Sequence, residues 1–181
     1  MNFDPFSDRT ARDLRNDLST ALVAVLTGED KAQLATAVEQ WKTQPLTADY
    51  QAYLQDRESR YQTVMADIRS AGIDDPRRQS VMLWNAGLFF ELHELLETIW
   101  HPAVEPERSA LKGLIQAAGA YIHAQRGKHQ AANGLAGRAR TNMQSAAKAL
   151  AFIGNLQELI DALQHPENSP PRLELSRLTA S

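Results

Sequence analysis

Three side chains that bind metals or carry protons lie close together in one short stretch of the sequence. His93 and Glu97 are four residues apart, and Glu94 directly follows the histidine. Residues four apart share one face of an α-helix, so His93 and Glu97 are expected to be neighbours. An imidazole beside a carboxylate can exchange protons, and both groups are ligands for first-row divalent metals. The stretch therefore predicts a proton-handling pair or half of a metal site.

The spacing differs from that of two established helical metal motifs. In the His-Glu-x-x-His zinc helix the second ligand is a histidine, whereas this chain has Glu97 at that position. The Glu-x-x-His spacing of di-iron bundles is absent as well. A helical projection turns Glu91 away from the other polar side chains, so we expect Glu91 to be exposed to solvent.

A second predicted helix, residues 107–126, supplies further candidates. Gln116 and His123 are seven apart and therefore lie on one side of it. Beside them runs a stripe of small residues that permits close helix packing, namely Gly113, Ala117, Ala120 and Ala124. If the helix of residues 88–100 packs on this stripe, the polar side chains of both helices converge. The expected ligands are His93, Glu97 and His123, with Glu94 and Gln116 supporting them.

The elements that must position these side chains are helical throughout. Apolar residues recur at helical spacing, and strand-like alternation is missing. We expect an all-α bundle of helical hairpins, loosely like tetratricopeptide units, because Gly87 and Gly127 each separate two helical patterns. The predicted organisation is an N-terminal helical extension (1–75), a core domain (76–165) and a loose tail (166–181).

Composition restricts the classes of function. The 181 residues carry a net charge of -3 and no cysteine, which excludes disulfides, thiolate metal sites and a cysteine nucleophile. The charge predicts no strong attraction to nucleic acid, although residues 108–157 hold seven basic and no acidic residues. No apolar run is long enough for a membrane span, and the first residues show no signal-peptide pattern. We therefore expect a cytoplasmic protein without a membrane or nucleic-acid partner.

Two blocks of the sequence resemble a known family. Residues 83–100 read LWNAGLFFELHELLETIW, and the second block comprises KGLIQ at 112–116, Ala120-Tyr121, His123 and Arg126-Gly127. In this order and spacing they resemble the bacterial and archaeal domain-of-unknown-function 309 family. The resemblance implies an all-helical fold with the signature His and Glu side chains facing the domain interior. It implies no reaction, and it leaves the extension at residues 1–75 unassigned.

Three functional hypotheses follow from these residues. The first is a binding module whose His/Glu cluster holds a divalent metal or a small polar ligand. The second is a scaffold or interaction protein, with a protein partner or a second copy of itself, in which the polar cluster only fixes helix packing. The third is a metal-dependent hydrolase, in which a metal-bound water or Glu94 as general base attacks a small substrate. The sequence leaves open whether the protein is an enzyme.

Overall fold

The computed structural model describes residues 3–176, and within them the predicted all-α fold is confirmed. The helices are α1 (Arg9–Thr27), α2 (Gln33–Lys42), α3 (Ala48–Ser70), α4 (Pro76–Asn85), α5 (Phe89–Trp100), α6 (Glu107–Gln125), α7 (His129–Ser145), a short 3-10 helix (Ala147–Leu150) and α8 (Leu156–Ala162). Contacts divide the chain into two compact units between positions 74 and 75. Among the described helices, none is both long enough and apolar enough to cross a lipid bilayer.

The first unit consists of α1, α2 and α3. Leu14, Leu18 and Leu22 are fully buried, and their spacing of four residues places them on one face of α1. Helix α2 is joined to α1 by a hydrogen bond in which Trp41 Nε1 donates to Asp17 Oδ2 at 3.1 Å. The indole otherwise lies in the core, so α2 is fixed by both apolar burial and one directional contact.

The second unit begins with the two predicted helical hairpins, which are confirmed. Gly87 connects α4 to α5 and Gly127 connects α6 to α7, and both adopt the left-handed conformation with φ of 68°. In each turn the N–H that follows the glycine donates to the carbonyl five residues earlier, at 2.9 Å. A side chain is disfavoured at this φ, which is the physical reason for glycine at both turns.

Helices α6 and α7 pack closely at the small-residue stripe. A methyl group added at Gly113 would lie 2.6 Å from Met143 Cγ and 3.3 Å from the Ala139 carbonyl oxygen. At this position the stripe therefore faces α7, so Gly113 does not meet the condition under which the polar side chains of the two helices converge. The absence of a side chain at Gly113 lets the two helix backbones approach.

The predicted loose tail is held in place over its last described residues. Trp84 Nε1 donates to the Pro171 carbonyl at 2.8 Å. The Asn85 amide donates to the Leu173 carbonyl at 2.8 Å and accepts from the Leu173 N–H at 2.7 Å. Two side chains at the end of α4 thus bind the tail backbone. The last five residues lie outside the described part of the chain.

Candidate metal site

Helix α5 buries one face and leaves the other accessible to solvent. Leu92, Leu95 and Leu96 are at most 1% exposed and lie three or four residues apart, so they anchor one side of the helix in the core. His93 and Glu97 occupy a neighbouring face one turn apart. The apolar face thereby determines the direction in which the polar pair points.

The predicted His/Glu cluster exists and contains three side chains. His93 Nδ1 lies 3.1 Å from Glu94 Oε1, and His93 Nε2 lies 3.4 Å from Glu97 Oε1. One ligand atom from each residue lies within 4.8 Å of the other two. The side chains are 32%, 32% and 40% exposed in chain order, so water can reach all three groups. The Phe90 ring stacks beside the imidazole, with 6.1 Å between the ring centres.

The shorter contact with Glu94 favours one tautomer of the neutral imidazole. An ionised carboxylate only accepts hydrogen bonds, so a hydrogen on His93 Nδ1 satisfies the 3.1 Å contact and leaves the lone pair on Nε2. That lone pair and the Glu97 carboxylate then face each other at 3.4 Å, and both are electron-pair donors. A cation between them, either a proton or a metal ion, converts this arrangement into an attractive one.

The distance between these two donors also matches a metal site. Zinc binds imidazole nitrogen at about 2.0–2.1 Å and carboxylate oxygen at about 2.0–2.2 Å, and a tetrahedron with these lengths has an N···O edge of roughly 3.4 Å. The Nε2···Oε1 distance between His93 and Glu97 is 3.4 Å. The pair is therefore spaced like two ligands of a tetrahedral ion, with Glu94 as the acceptor that orients the imidazole.

The two candidates on α6 lie outside this cluster. His123 is half-buried, and none of its ring nitrogens belongs to the group formed by His93, Glu94 and Glu97. The Gln116 amide oxygen accepts a hydrogen bond from Asn142 Nδ2 of α7 at 2.8 Å. Gln116 is thus engaged in packing between α6 and α7, where the close contact at Gly113 also lies.

One expectation about α5 is wrong. Glu91 is 1% exposed, although the helical projection predicts an exposed side chain. The projection considers α5 alone, whereas burial depends on the neighbouring helices that cover each face. Sequence reasoning also missed Asn142, because a polar residue on an amphipathic helix carries no local sign of a partner 26 residues away.

Comparison with known families supports the resemblance noted in the sequence. Residues 78–135, about a third of the chain, match the model of a family described as domain of unknown function (DUF309). The match includes the His/Glu cluster, Gln116 and His123. Comparisons with curated proteins and with solved structures give no match.

Proposed function

We propose that this chain, whose residues 78–135 belong to the domain-of-unknown-function 309 family, is a binding module that holds a divalent metal ion at the His/Glu cluster. The observation that carries the proposal is the 3.4 Å separation of His93 Nε2 and Glu97 Oε1. This separation matches the edge of a tetrahedral site.

Each member of the cluster has a chemical role in this proposal. His93 and Glu97 bind the metal, and Glu94 accepts the imidazole Nδ1 hydrogen and increases the basicity of the ring. Exchangeable water molecules complete the coordination, because the side chains are about one-third exposed or more. His123 stays a predicted third ligand, and its variant belongs in the same experiment.

The test is metal titration of tag-free protein by isothermal calorimetry with zinc, manganese and, without oxygen, iron(II). We expect saturable binding that His93→Ala abolishes and that Glu94→Gln weakens by about 10- to 100-fold. His101→Ala is the matched control, since His101 is exposed just beyond α5 and lies outside the cluster. A metal at one hundred times its dissociation constant should stabilise the fold by about 2.7 kcal/mol.

The proposal fails if wild type and His93→Ala bind equally, or if no metal raises the melting temperature. Reduced binding by His123→Ala would identify the third ligand. Unchanged binding by that variant would restrict the protein ligands to α5.

The scaffold hypothesis is supported by a different observation, the Gln116–Asn142 hydrogen bond between α6 and α7. Substituting Gln116→Leu leaves the part-buried Asn142 amide without this acceptor, which should cost about 1–3 kcal/mol of unfolding free energy. Metal affinity should not change, since the Gln116 amide oxygen is engaged by Asn142 of α7. If His93→Ala likewise lowers stability while the wild type binds no metal, the whole cluster serves packing. The cytoplasmic location stays a prediction that cell fractionation tests.

A further inference from the structure

The first unit contains a groove of about 300 Å³ that is lined by α1, α2 and α3. This volume lies at the lower end of the range for small-molecule sites. The apolar lining residues are Val25, Leu34, Ala35, Val38 and Met65. Its lining residues belong to the first unit, precede the family match and do not include His93, Glu94 or Glu97.

Acidic and basic side chains lie at opposite ends of this groove. Lys42 at the end of α2 pairs with Glu58 of α3 at 3.1 Å and with Glu39 at 3.2 Å. Lys31 lies just before α2, and Arg69 is the penultimate residue of α3. Both line the same groove as Glu39 and Glu58. Helices α2 and α3 must therefore run in opposite directions along it, so that Lys31 and Arg69 lie together at the far end.

The two ends differ in how far their charges are neutralised. Glu39 and Glu58 share the ammonium group of Lys42. Lys31 and Arg69 are exposed and make no ion pair within residues 3–176. The groove therefore presents an apolar floor that ends at two unneutralised cations.

We propose that this groove binds an amphipathic carboxylate, a medium-chain fatty acid, with its carboxylate at Lys31 and Arg69 and its chain on the apolar floor. From Glu58 to Arg69 helix α3 extends about 16 Å at 1.5 Å per residue. An extended chain of about ten carbons, with C–C bonds of about 1.5 Å, spans roughly 12 Å and fits within that length. A cationic amphiphile would have to bind in the reverse direction, where Lys42 already partly neutralises Glu39 and Glu58.

The experiment measures the binding of decanoate, 1-decanol and decylamine to the full chain, below their micelle concentrations, by isothermal calorimetry. Wild type should prefer decanoate over both other probes. It should bind octanoate about 16-fold more weakly, since each of the two lost methylenes contributes roughly fourfold. The double variant Lys31→Gln/Arg69→Gln should bind decanoate about 2- to 30-fold more weakly, the range for two partly exposed charge pairs. The double variant should no longer bind decanoate more tightly than 1-decanol.

Two controls separate the groove from general effects. Arg138→Gln/Lys148→Gln removes the same charge from exposed positions of the second unit and should bind decanoate like the wild type. Ala35→Phe places a ring in the groove from an exposed position and should abolish binding, whereas Gln40→Phe, which is exposed but does not line the groove, should not. Equal binding of decylamine and decanoate, a retained decanoate preference in the double variant, or unchanged binding by Ala35→Phe would each overturn the proposal.

Discussion

Replacing Asn85 with alanine is expected to destabilise the second unit by about 2–4 kcal/mol. The side chain makes two part-buried hydrogen bonds to the Leu173 backbone, of 2.7 and 2.8 Å. Each bond contributes about 1 kcal/mol net, and a buried donor or acceptor left unpaired costs about 1–3 kcal/mol. Leu173 is 3% exposed, so water reaches its backbone groups poorly, and the loss should exceed that of the two bonds alone.

Asn155 provides a matched comparison within the same tail. Its amide donates to the Arg172 carbonyl and its oxygen accepts from the Glu174 N–H, both at 2.9 Å. These bonds have the same chemistry as those of Asn85 but are exposed, so water replaces them when the side chain is removed. Asn155→Ala should therefore lower the free energy of unfolding by less than about 1.5 kcal/mol.

Urea unfolding followed by circular dichroism measures both losses. Asn85→Asp should lose at least as much stability as Asn85→Ala, because it keeps the acceptor for the Leu173 N–H but places a carboxylate oxygen against the Leu173 carbonyl oxygen in a part-buried site. Amide hydrogen exchange at Leu173 should accelerate in Asn85→Ala and much less in Asn155→Ala. Equal losses of stability in the two alanine variants would refute the reasoning, since burial is the difference on which it depends.

The interior supports two further predictions. Gly113→Ala should lower the free energy of unfolding by about 1–3 kcal/mol, because its methyl group would lie 2.6 Å from Met143 Cγ. Gly137→Ala meets nothing within 4 Å and should stabilise α7 by up to about 1 kcal/mol. Thermal melts of the two variants measure both effects. Burial raises the pKa of Tyr121 to about 12, so the unfolded chain ionises first and stability should fall by roughly 2–3 kcal/mol between about pH 10 and 12. Tyr121→Phe should lose this pH-dependent component and be no less stable at neutral pH, because the buried hydroxyl has no hydrogen-bond partner in the described chain.

Local features of the sequence determined the helices and part of the candidate site. Apolar residues at helical spacing, such as Leu92, Leu95 and Leu96, specify α5 and its buried face. Glycine at positions 87 and 127 specifies two turns that need a positive φ. The proximity of His93 and Glu97 follows from one helical turn, so the sequence alone places them together.

Only the tertiary structure decided which helix covers each face. Glu91 is buried and Gly113 packs on α7, because the neighbour of a helix face is fixed by contacts between segments distant in sequence. The Asn85 side chain binds the backbone of Leu173, which lies 88 residues away in the sequence. Gln116 likewise bonds to Asn142 of another helix, and a projection of one helix cannot predict that partner. The spacing of apolar residues along the sequence predicts a helix and its apolar face. Which segment packs against that face depends on how the whole unit buries its apolar surface.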